Sequence, residues 1–153
     1  MPKEQRDLKA REIVFRMLKL RLYSEQEIRT RLTKKQIEPK FIEDTIQYFK
    51  ELEFIDDRKF TRQWIASRLA KSFGATRIRF ELRHKGIGDD LLNEELKVIA
   101  QDYDEERIVE KLAHKRAQVY HGIPKDKLKQ RVYGYLARRG FSSYAIGKAM
   151  REI

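Results

Sequence analysis

The sequence predicts an all-α protein of three tandem three-helix repeats, stacked into an elongated, curved rod free of right-angle turns. Three observations predict it. A ten-residue pattern is written three times, as Ile28 to Ile37 (IRTRLTKKQI), Ile78 to Ile87 (IRFELRHKGI) and Val132 to Phe141 (VYGYLARRGF). The leucines Leu32, Leu82 and Leu136 fall 50 and 54 residues apart, a period that marks a repeat architecture. The helix after each copy keeps a common apolar register: Ile42, Ile46 and Phe49 match Leu92, Leu96 and Ile99, and then Ile146, Met150 and Ile153. Finally, 39% of the residues are charged, against roughly 25% in ordinary globular domains, and only three prolines and seven glycines interrupt the chain. Such a composition favours long, salt-laced helices over sheets.

The repeats are expected at residues 1–55, 56–103 and 104–153. In the first, Ala10, Ile13, Val14, Met17 and Leu18 lie at helical spacing opposite Arg11, Glu12, Arg16 and Lys19. Ser24-Glu25-Gln26-Glu27 reads as a capping box that starts a second helix, which buries Ile28 and Leu32 and ends in Lys34-Lys35. Pro39 suits the first turn of a third helix, where its missing donor is not needed. The second repeat opens at Phe54-Ile55-Asp56-Asp57, with one aspartate capping a helix whose apolar face is Phe60, Trp64, Ile65 and Leu69. Gly74 breaks that helix, Ile78 and Leu82 face inward on the next, and Gly86 closes it in a left-handed conformation. Gly88-Asp89-Asp90 starts the third, which buries Leu91, Leu92, Leu96 and Ile99. The last repeat follows the acidic junction Asp102 to Glu106. Its first helix carries Ile108, Leu112, Ala113 and Ala117, its second Leu128, Val132 and Leu136, and Ser142 caps the last. Units of about 50 residues sit near the lower size limit for independent stability, so neighbours should pack on one another.

The formal net charge is +11, and residues 107–153 hold 12 basic groups against 3 acidic ones. That imbalance points to a polyanionic partner such as nucleic acid, the alternative being a solvated basic face kept for solubility. With no cysteine there is no disulfide framework and no thiol chemistry. The charged start, Met1 to Asp7, is followed by no apolar run suited to a signal peptide or a bilayer span, so the expected location is the cytoplasm, with no membrane contact.

No reactive constellation emerges, and no catalytic residue, metal site or cofactor is expected. His84, His114 and His121 fit no metal-ligand spacing, and capping accounts for Asp56-Asp57 and Asp89-Asp90. No phosphate-cradling glycine motif occurs. Phe60 and Trp64 could stack bases, but their four-residue spacing on an amphipathic helix favours core packing. The positive signal is the cationic end of each second helix: Lys34-Lys35, Arg83-His84-Lys85 and Arg138-Arg139, joined by Arg77, Arg79 and Arg131. In a regular array these recur at repeat spacing, as tracking a phosphate backbone or a filament groove requires. Tyr133, Tyr135 and Tyr144 are interleaved with them, some as stacking partners and some as core.

Phe54-Ile55-Asp56-Asp57, Phe60, Trp64, Arg68, Gly74, Arg77-Ile78, Glu81-Leu82 and Lys85-Gly86-Ile87 together resemble the central signature of the RecX family of bacterial recombination regulators. Ala10, Leu18, Ser24 and Leu32 are similar to its N-terminal repeat, and the third repeat follows the family by pattern. Thr61 departs from it, standing where the family usually has alanine. The resemblance covers nearly the whole chain. It implies a non-enzymatic regulator that lies in the groove of the RecA filament on single-stranded DNA, suppresses ATP hydrolysis and strand exchange, and limits filament growth or promotes disassembly; the chain is expected to be a monomer, with any contact to DNA weak or indirect. Lys34, Lys35, Arg77, Arg83, Lys85, Arg131, Arg138 and Arg139 are the contact candidates. Asp56, Asp57, Phe60, Trp64, Gly74, Ile78, Leu82 and Gly86 form the structural signature. The residues alone also allow a helix-turn-helix DNA-binding module or a protein-docking scaffold.

Overall fold

The structure, a computed structural model, describes residues 2–153. Its helices are α1 (Lys3–Leu20), α2 (Glu25–Lys34), α3 (Pro39–Glu51), α4 (Asp57–Ala70), α5 (Ala75–His84), α6 (Asp89–Ala100), α7 (Glu105–Ala117), α8 (Lys125–Arg138) and α9 (Ser143–Met150). Among the described residues there is no strand, and no helix is long and apolar enough to cross a membrane.

Three separate apolar cores organise these helices. Ala10, Val14, Ile28, Leu32, Ile42, Ile46, Phe49 and Ile55 form the first, and Phe60, Ile65, Ile78, Leu82, Ile87 and Leu92 the second. Val109, Ala113, Val132, Leu136, Phe141 and Ile146 form the third. The pivot leucines Leu32, Leu82 and Leu136 are each fully buried. The accessible surface is 10188 Å² for an 18.4 kDa chain. A compact monomer of that mass exposes about 8,200 Å². The excess is the signature of an elongated array in which each unit buries little against its neighbour.

The thrice-written pattern is a helix-closing device. In each copy the final apolar residue donates its backbone N–H to the pivot leucine carbonyl: Ile37 to Leu32 at 3.0 Å, Ile87 to Leu82 at 3.0 Å and Phe141 to Leu136 at 3.4 Å. The preceding residue donates to the carbonyl three back, and has φ of 61° at Gln36, 80° at Gly86 and 91° at Gly140. These two bonds and the left-handed residue make a Schellman close, in which the final apolar residue and the pivot leucine occupy the positions of its hydrophobic contact.

Other local expectations take definite form. Ser24 and Glu27 make the reciprocal capping box, Ser142 caps α9 and Pro39 sits in the first turn of α3. Asp56 is the aspartate that caps α4, accepting from the Arg58 and Lys59 amides. Gly88, with no side-chain cap, starts α6, while Asp89 pairs with Arg83 at 2.9 Å. Glu95 is a buried charge that the apolar pattern did not reveal. Its carboxylate lies 2.7 Å from both Arg62 and Arg58, which tie α6 to α4 and hold its pKa below the ordinary carboxylate value against the opposing effect of desolvation.

The units meet end to end through their second helices. At the first joint, the Ser24 hydroxyl donates to the Lys85 carbonyl at 2.7 Å, and Lys85 Nζ reaches Glu27 at 3.2 Å. Asp57, the second aspartate of the pair, accepts from the Glu25 amide at 2.9 Å, and Leu22 packs against the second core. At the second joint the Gly74 amide donates to the Arg139 carbonyl at 2.7 Å, and the Thr76 amide to the Gly140 carbonyl at 3.1 Å. Arg139 in turn donates from Nε to the Ser72 carbonyl at 3.0 Å and also binds the Lys71 carbonyl. The carbonyl end of α8 therefore meets the amide end of α5, and the carbonyl end of α5 meets the start of α2. The three helices form a head-to-tail column, in which each end supplies partners the other lacks.

The first joint should loosen in acid. Burial resists ionisation of Glu27, but Arg21, the Ser24 amide and Lys85 outweigh it and hold its pKa below the ordinary value of 4.5. A depressed carboxylate contributes stability in full above the unfolded value, and loses it as pH falls through the folded one. Asp57, raised by burial despite the Glu25 amide, titrates in the opposite sense at the same joint. Protection of the Ser24 amide, which donates to Glu27, is expected to fall below about pH 4.5 in the native chain when its exchange is referred to the intrinsic rate at the same pH. Glu27→Gln should exchange faster at neutral pH and lose part of that acid step.

Candidate functional site

The predicted contact residues divide into two groups once the joints are in place. Lys85 and Arg139 are half-buried and serve the joints. Lys85 also lies over the Trp64 ring at 4.4 Å, and Arg139 lies over Phe73 at 4.2 Å. Arg77 stands beside Phe73 at 4.4 Å and donates to the Arg138 carbonyl at 3.3 Å. Arg68 completes the cluster around Phe73 at 4.3 Å and pairs with Glu81 at 2.6 Å. These cations hold the rod together through ring faces and carbonyl oxygens.

Lys34, Lys35, Arg83, Arg131 and Arg138 point to solvent. Arg83 is compensated by Asp89. Lys34 and Lys35 stand at the free carbonyl end of the helix column, where cations are favoured because no further helix start supplies donors. Arg131 and Arg138, two turns apart, share one face of α8, with Arg131 over the Tyr120 ring at 5.5 Å, whereas Tyr133 is exposed on another face, as is Tyr144 on α9. Tyr135 turns the other way, packs on the third core and takes Arg116 over its ring at 4.4 Å.

Trp64 is neither an open platform nor a fully buried core residue. It stacks on buried Phe60 at 6.0 Å between ring centroids, while its other side borders a cleft between the first two units. That open cleft has a volume of about 550 Å³ and is lined by residues of α1, α2, α4 and α5. Arg31 and Lys34 line it from α2, and Phe80, His84 and Lys85 from the second unit. Phe80 and His84 meet edge to face at 4.4 Å. Sequence reasoning passed over Phe80, although the signal was present. It falls two residues from both Ile78 and Leu82, so it lies outside the buried helical stripe, and an aromatic residue there must be exposed.

One titratable cluster also forms away from the joints. Glu110, His114 and Glu152 bring ligand atoms within 4.8 Å of one another, all exposed. The sequence separation of Glu152 from the other two concealed it. Lys148, paired with Glu106 nearby, and full solvation make this an ordinary polar surface.

Comparison with known proteins agrees with the repeat architecture. Models of the first, second and third three-helix domains of RecX match residues 10–49, 56–96 and 104–150. The chain is 32% identical over 148 residues to a regulatory protein RecX of Chlorobium phaeobacteroides, covering 96% of this chain and 95% of that one. It is 30% identical over 135 residues to a regulatory protein RecX of Clostridium acetobutylicum, covering 85% of this chain and 62% of that longer one. The crystal structure of RecX from Lactobacillus salivarius superposes with a TM-score of 0.80 at 20% identity, over 97% of both chains, which shows the shared fold. With three domain models in order and near full-length identity to a protein of that name, the chain belongs to the RecX family of regulatory proteins.

Proposed function

We propose that this chain binds the RecA recombinase filament on single-stranded DNA and inhibits ATP hydrolysis, strand exchange and filament growth, acting as a cytoplasmic monomer without cofactor or metal. RecA as the partner comes from the family resemblance. The observation that carries the physical side is the head-to-tail column of α2, α5 and α8. It links three small units end to end, a reach that suits contact with successive protomers of a helical polymer. The free cations at Lys34, Lys35, Arg131 and Arg138 then lie on an extended body suited to a negatively charged assembly.

The test is RecA ATPase on single-stranded DNA with the chain added at two salt concentrations. Inhibition at stoichiometric amounts, weaker at the higher salt, is expected. Full ATPase activity at both would overturn the reading. Arg138→Glu with Arg131→Glu should weaken inhibition while leaving the fold intact, since both side chains are exposed. Arg139→Glu is a poorer probe because it dismantles the second joint.

A further inference from the structure

The cleft between the first two units has the parts of a single-strand nucleic-acid site. Phe80 is 62% exposed although it is a large aromatic ring on a short, well-packed helix. The edge-to-face contact with His84 holds it against the cleft wall and leaves ring surface free to stack. Arg31 and Lys34 line the same cleft one turn apart on α2, exposed and without an ion pair among the described residues. The cleft's carboxylates are already engaged: Glu27 is shared by Arg21 and Lys85, and Glu81 is held by Arg68. Positive charge and a stacking face are therefore both left over in one cleft.

We infer that this cleft binds an unpaired nucleotide of single-stranded DNA, with its base stacked on Phe80 and its phosphates beside Arg31 and Lys34. A base inside a duplex is stacked on its neighbours and offers no free face to Phe80, so the site selects single strands. An aromatic face accepts any base, so little sequence preference is expected. The inference deepens the proposed action on a filament assembled on single-stranded DNA, but it concerns the chain alone and is testable without the recombinase.

The experiment is anisotropy titration of a fluorescein-labelled oligo-dT with the full chain, together with quenching of Trp64, the single tryptophan, which lines the cleft. Phe80→Ala should weaken binding about 5- to 150-fold, the range for loss of one base-aromatic stack, and Phe80→Tyr should restore it. Arg31→Ala with Lys34→Ala should reduce the slope of log affinity against log salt by about 1.4, as two lost phosphate contacts require. A duplex of equal length should bind with no dependence on Phe80. Native-like affinity and quenching in Phe80→Ala would overturn the inference, as would equal Phe80-dependent binding of a labelled poly-glutamate peptide. If recombinase inhibition survives Phe80→Ala while oligo-dT binding is lost, the cleft site stands and the filament contact lies elsewhere. Inhibition lost with oligo-dT binding intact overturns the cleft assignment alone.

Discussion

Gly74→Ala is expected to separate the third unit from the second without unfolding either. Gly74 has φ of −90°, a conformation open to any residue, so alanine introduces no intrinsic backbone strain there. What it meets is the Gly140 carbonyl of the other unit, closer than 3.0 Å, which is backbone and cannot rotate away. The joint must open, and the Gly74 and Thr76 amides then lose their partners on α8. The radius of gyration from solution scattering should rise, and those two amides should lose exchange protection, while the third core keeps its own melting transition. Gly140→Ala should do the same and cost a further 1–2 kcal/mol or so, because its φ of 91° is unfavourable for any residue with a Cβ. Gly88→Ala, where a Cβ meets nothing, is the control. Native dimensions in Gly74→Ala would show that the joint is not what aligns the units.

Leu82→Ala is expected to have the largest effect on folding. The side chain is fully buried in the second core, and removing it should cost about 2–5 kcal/mol. A unit of about 50 residues has only some 2.5–7.5 kcal/mol in hand at roughly 0.05–0.15 kcal/mol per residue. The equivalent changes at Leu32 and Leu136 remove the same group from the same register. The middle unit carries both joints, however, so its loss also leaves the amide end of α2 and the carbonyl end of α8 without partners. Urea unfolding followed by circular dichroism should show the lowest midpoint for Leu82→Ala. Equal midpoints for the three variants would mean that the joints contribute little to cooperativity.

Much of this was legible because its causes are local. Helical spacing of Ile28 and Leu32, of Ile78 and Leu82, and of Val132 and Leu136 decides which face is buried. Ser24 with Glu27 starts one helix, and Gly86 and Gly140 end two others, through bonds that span at most five residues. The roles of the cations were not legible in the same way. Lys85 lies 61 residues from Ser24 and Arg139 67 from Ser72, so no local pattern distinguishes them from Lys34 or Arg138, which remain free. Asp57 looked like a cap for its own helix, but it caps a helix of the neighbouring unit.

The sequence by itself determined three helical units, their cores, their closing turns and an excess of positive charge. Periodicity and capping are short-range, and charge is additive. Only the tertiary structure decided that the pattern Ile78 to Ile87 is also a connector. A helix end leaves unpaired carbonyls or amides, and these find partners wherever another helix end is brought to them. That encounter placed Lys85 and Arg139 inside the joints and opened the cleft beside Phe80, because both depend on where separate units come to rest.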